Sequence, residues 1–148
     1  MLVKTFGSAV YGVDAITITI EVNVSMGQGY SIVGLPDSAV RESLQRTESA
    51  IKTNGLHMPR TKVVVNLAPA DIRKTGSALD LPIALAVLGA SEQLAHPERL
   101  SDYSIMGELG LDGTVQPIKG ALPIAIQARK EGFKGLIVPR ANVREAAM

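Results

Sequence analysis

The stretch from Thr61 to Ala90 limits what this chain can fold into more than any other part of it. Lys62 to Leu67 reads KVVVNL, a β-branched run of the kind that fills a buried strand. A polar loop follows from Ala68 to Gly76. A helix is then predicted to start between Ser77 and Leu81 and to reach Ala95. Leu81, Ile83, Leu85, Val87 and Leu88, with Ala84, Ala86 and Ala90, make that helix apolar nearly all round, so it belongs inside, against a sheet. A helix N-terminus offers unpaired N–H groups and a partial positive charge, which makes the preceding loop a natural place for chemistry. This loop carries Asp71, Arg73, Lys74 and Ser77.

The flanking chain supplies the rest of the sheet. Val3–Val10 and Ala15–Val24 read as strands, the second with Ile16, Ile18, Ile20, Val22 and Val24 on one face. Gly12 and Asp14 predict a turn, hence an antiparallel pair. Tyr30–Val33 is a third strand, closed by Gly34-Leu35-Pro36. Asp37 or Ser38 then caps a helix whose stripe is Val40, Leu44, Thr47 and Ile51, ended by Asn54-Gly55. Ser104–Leu111 and Thr114–Ile118 form a hairpin on Asp112-Gly113. A helix from Gly120 to Glu131 carries Pro123 in its first turn, and Gly135–Pro139 reads as a buried strand. Ala141–Met148 starts a helix and stops, as expected of a piece of a longer protein. Strands and helices mix without strict βα alternation, which predicts α+β, a mixed α/β sandwich, in one domain over 1–148.

Composition excludes several functions. With no cysteine there is no disulfide framework and no thiolate metal site, and His57 and His96 lie too far apart to suggest a metal. No apolar run approaches the ~18 residues of a membrane span, and the N-terminus lacks a signal-peptide core, so a cytoplasmic protein without a membrane partner is expected. The phosphate-loop pattern is absent: Lys74-Thr75-Gly76-Ser77 has its letters in the wrong order, so no nucleotide cofactor is expected in this chain. The net charge of +1 hides seven basic against three acidic side chains in 41–74, one against six in 75–113, and six against two in 114–148. Solvated faces are the simplest account. Arg41, Arg46, Arg60, Arg73, Lys74 and Lys119 are the candidate contacts for a partner or for DNA, although five aromatics leave few platforms for stacking bases.

Ser77 admits two readings. Ser77 to Asp80 has capping-box spacing, and Pro82 makes Asp80 a rival cap. Alternatively Ser77 is a peptidase nucleophile with Lys74 or Lys119 as its base, which requires a desolvated, neutral amine. Both lysines sit in polar segments, so ordinary charged amines and no catalytic residue are expected. The Asp71-to-Lys74 run reads either as a solvated loop with local ion pairs, the simpler account, or as an ionic site for phosphate or a partner. Glu108 and Asp112 have no partner in sequence.

Three blocks together resemble a known family: Val33–Val40 (VGLPDSAV), Asn66–Pro82 (NLAPADIRKTGSALDLP) and Gly107–Gly120 (GELGLDGTVQPIKG). They are similar to the N-terminal, ChlI-like domain of the YifB/ComM family of magnesium-chelatase-like AAA+ ATPases, and the resemblance covers essentially the whole chain. It implies the ribosomal protein S5 domain 2-like fold, shared with the Lon proteolytic domain and the end of the RadA/Sms repair protein. It also implies a downstream AAA+ module using ATP and Mg, a hexameric homo-oligomer, and DNA processing in competence. Gly76-Ser77-Ala78 falls where Lon has its nucleophilic serine. Val115–Leu122 falls on the Lon segment bearing the catalytic lysine; aligned on Pro117-Ile118, that position is Leu122, with Lys119 three residues earlier. The resemblance thus implies a Lon-like accessory domain without proteolysis, serving assembly, partner contact or DNA engagement.

Overall fold

The computed structural model describes residues 1–147. Strands β1 (Leu2–Tyr11) and β2 (Asp14–Ser25) form a long antiparallel hairpin, turned at Gly12, whose φ of +64° suits glycine. β3 (Tyr30–Val33) follows, then α1 (Ser38–Arg41) and α2 (Ser43–Thr53), β4 (Lys62–Ala68) and α3 (Asp80–Ala90). A 3₁₀ turn at Pro97–Asp102 leads to β5 (Tyr103–Ile105), β6 (Glu108–Leu109), β7 (Val115–Gln116), α4 (Ala121–Lys130) and β8 (Gly135–Ile137). A 3₁₀ turn at Arg140–Asn142 and α5 (Val143–Ala146) close the described chain; Met148, the last residue of the helix start read there, lies outside it. Six strands form one mixed sheet in the order β3-β4-β2-β1-β5-β8, and β6 pairs with β7 separately. The class is α+β.

Alternation decides which face each helix takes. Ile18, Ile20 and Val22 on β2 share a face with Val63, Val65 and Leu67 on β4, all buried. Onto it packs α3, where the Thr5 hydroxyl donates to the Pro82 carbonyl (3.0 Å). The opposite face meets α4 and its sequel: Phe6 lies edge-on to Phe133 at 5.3 Å, and Thr17 donates to Glu131. Leu44, Thr47 and Ile51 turn inward from α2, which packs on α3.

Four expectations change. The first helix is two pieces, α1 and α2, interrupted at Glu42. α3 ends at Ala90 rather than Ala95, because Glu92 turns left-handed (φ +63°) and Gln93 N–H donates back to the Leu88 carbonyl (2.9 Å). The hairpin on Asp112-Gly113 is only β6 and β7. Tyr103–Ile105 joins the main sheet instead, and the chain then leaves it to bond the start of α3, Gly107 N–H to the Ala78 carbonyl and Leu81 N–H to the Gly107 carbonyl. β8 is a half-exposed edge strand rather than a buried one, since no strand among the described residues pairs beyond it.

Candidate functional site

The loop between β4 and α3 is fastened from both sides. Lys74 N–H donates to the Leu35 carbonyl and Asp37 N–H to the Lys74 carbonyl, each at 2.9 Å, making a bridge to the β3–α1 connection. The Asp37 carboxylate caps α1 by accepting from Val40 N–H (2.8 Å) and reaches across to Gly76 N–H (3.0 Å). Gly34, at φ +106°, lets the two connections approach: a Cβ there would lie 2.0 Å from the Leu67 carbonyl oxygen. From β1, the Tyr11 hydroxyl donates to the Arg73 carbonyl (2.8 Å).

Beside this loop lies a cleft of about 440 Å³, walled by Ser8–Tyr11 of β1, Lys74–Leu79, Glu108 and Pro117–Lys119. All three residues of the peptidase reading, Ser77, Lys74 and Lys119, thus line one cavity. Their bonding differs from either expectation. The Ser77 hydroxyl caps nothing; it donates to the Glu108 carboxylate on β6. Glu108, which has no partner legible in sequence, is therefore the residue that reading the sequence missed; the only signal was its place in the Gly107–Gly120 block. Lys74 is not the exposed lysine expected. Its side chain is fully buried and its amine donates to the Pro69 carbonyl. Burial pushes the Lys74 pKa down, partly opposed by the charge of Asp71. Lys119 is exposed, and Leu122 is half-buried on α4.

Asp80 does not cap α3 either. It is 1% exposed and receives Arg46 in a two-pronged pair, Nε to Oδ2 at 2.7 Å and Nη2 to Oδ1 at 2.9 Å. Arg46 also donates to the Ala39 carbonyl (2.7 Å), and Leu109 N–H donates to Asp80 Oδ2 (3.0 Å). Of the six candidate cationic contacts, Arg46 and Lys74 are therefore engaged inside the molecule, while Arg41, Arg60, Arg73 and Lys119 remain exposed. Among the described residues no cluster of three His, Asp or Glu side chains could hold a metal. No helix among them is long and apolar enough to cross a membrane.

An arrangement of this kind can hold a ligand between a serine hydroxyl, a carboxylate and a surface ammonium. The Ser/Lys pair of a peptidase is not assembled here, because neither lysine amine hydrogen-bonds to the Ser77 hydroxyl, whose partner is Glu108.

Comparison with known proteins places these features in a wider set. The family model for subunit ChlI of Mg-chelatase matches residues 20–142. YifB of Escherichia coli K12 is 44% identical over 141 residues, covering 95% of this chain and 28% of YifB. Competence protein ComM of Haemophilus influenzae is 38% identical over 148 residues, 99% of this chain and 29% of ComM. DNA repair protein RadA of E. coli is 32% identical over 93 residues, 63% of this chain and 19% of RadA. The chain thus spans under a third of the length of each of these relatives.

Proposed function

The chain belongs to the family of the magnesium-chelatase subunit ChlI, in the company of YifB and ComM, and from that premise we propose that it is a non-catalytic, Lon-like accessory domain of a AAA+ ATPase that processes DNA. The observation that carries this reading is the bonding of Ser77: its hydroxyl is held by a carboxylate, while the one desolvated amine in the cleft is committed to the Pro69 carbonyl. A Ser/Lys peptidase needs a neutral lysine amine on the serine hydroxyl, and here neither lysine hydrogen-bonds to it. A carboxylate, a far weaker base than a neutral amine, takes that place.

On this reading the fold is of the ribosomal protein S5 domain 2 type. A serine loop ahead of α3, followed by a hairpin and then α4, supports it. ATP and Mg belong to an AAA+ module elsewhere in the longer protein, which works as a hexamer in the cytoplasm. The names of ComM, a competence protein, and RadA, a DNA repair protein, support DNA processing as the setting. Engagement of Arg46 and Lys74 within the fold argues for assembly and partner contact over a DNA-binding face in this domain.

The test is Ser77→Ala in the full-length protein. Its ATP-driven action on DNA is expected to stay within about twofold of wild type. A loss of about a hundredfold or more, as removal of a catalytic group gives, would overturn the reading.

A further inference from the structure

A second cavity, away from Ser77, is shaped by an open sheet edge. β3 is the first strand in the sheet order, with β4 as its one neighbour. Val63 N–H donates to the Gly29 carbonyl (3.0 Å), and in a parallel ladder successive residues turn their N–H and C=O to opposite sides. Tyr30 and Ile32 therefore direct theirs away from β4, and none of the described hydrogen bonds uses them. Natural edges are usually blunted by proline, lysine or a bulge. Tyr30–Val33 contains none of these, and its length of four residues is its one protection.

Between that edge and α2 runs a groove of about 760 Å³. Ile32 and the buried Leu44 give it an apolar floor. Its helical wall carries two cations, Arg41 and Lys52, against one anion, Glu48, and Glu48 already faces Lys52 at 3.6 Å. Arg41 takes part in no ion pair among the described residues.

We propose that this groove docks an extended, acidic peptide segment of a partner protein, which adds to the sheet as a strand beside β3. Two unpaired backbone donors and two acceptors on an edge are met by another backbone, with side chains alternately entering the groove. The unpaired guanidinium of Arg41 selects for carboxylates on the incoming segment. Nucleic acid would answer the cations but leave the edge unpaired. The inference goes beyond the reading of Ser77 and does not depend on it.

The experiment is an amide NMR titration of the whole chain with a capped eight-residue peptide alternating valine with glutamate or threonine. Three controls accompany it: a version with lysine for glutamate, a version N-methylated at alternate residues to remove donors along one edge, and a single-stranded oligothymidine. The Tyr30 and Ile32 amides should shift and exchange more slowly, with a dissociation constant below about 1 mM. Lysine substitution and N-methylation should each weaken binding about tenfold or more. The surface variant Arg41→Glu with Lys52→Glu should reverse the preference between the two charged peptides. No change at the β3 amides at millimolar peptide, indifference to N-methylation, or tighter binding of the oligonucleotide at the same amides would overturn the proposal.

Discussion

Lys74 shows how a single buried side chain ties the site to the fold. Its amine lies under the loop that its backbone bridges to Asp37, so the loop and the β3–α1 connection hold each other. Because burial lowers its pKa below the ordinary 10.5, the unfolded chain binds more protons than the folded one between the two values. Stability linked to Lys74 is therefore complete above 10.5 and is lost as pH falls through the folded pKa. Urea unfolding of wild type and Lys74→Met across that range should show wild type gaining on the variant as pH rises toward 10.5. A pH-independent difference between the two would contradict a desolvated amine at this position. The sequence places Lys74 in a polar loop, and nothing in that local pattern shows that its four-carbon stem turns inward. What decides it is the approach of Leu35 and Asp37, which lie some forty residues earlier in the chain.

At the level of elements, Arg46 and Asp80 tie α2, α3 and β6 into one unit, since Asp80 receives Arg46 from α2 and the Leu109 N–H from β6. Removing one member of such a buried pair leaves the other uncompensated, so Asp80→Ala should cost about 3 kcal/mol in urea unfolding. Arg46→Met with Asp80→Leu, which removes both charges, should cost less than Asp80→Ala alone. A double variant as unstable as the sum of the two single losses would show no coupling between Arg46 and Asp80 and would contradict this account. Local pattern predicted the elements well where period and turn chemistry agree: β1 and β2 around Gly12, the α2 stripe from Leu44 to Ile51, and α4 between Gly120 and Gly132. It failed where a long-range partner intervenes. Ser77 and Asp80 have the spacing of a cap, but Glu108 and Arg46, distant in sequence, take their side chains. The sequence likewise suggested an α3 reaching Ala95, and the left-handed Glu92 ended it with help from Gln93 and His57.

For the molecule as a whole, the sheet sorts its two ends into different kinds of surface. Ser77, Glu108, Lys74 and Lys119 gather where β1, the α3 loop and the β7–α4 connection converge, while the β3 edge and α2 form a separate groove. The first cavity holds the residue types of a serine peptidase in an arrangement that leaves both lysine amines off the serine hydroxyl. On the proposed function the domain belongs to a larger ATP-driven protein, and the proposed docking groove is where a partner reaches it. The most direct measurement of the central claim is intact-mass analysis of the chain after incubation with a fluorophosphonate probe, wild type beside Ser77→Ala. A hydroxyl held by Glu108 with no amine base predicts no adduct on either protein. A single adduct on the wild-type chain that is absent from Ser77→Ala would contradict it.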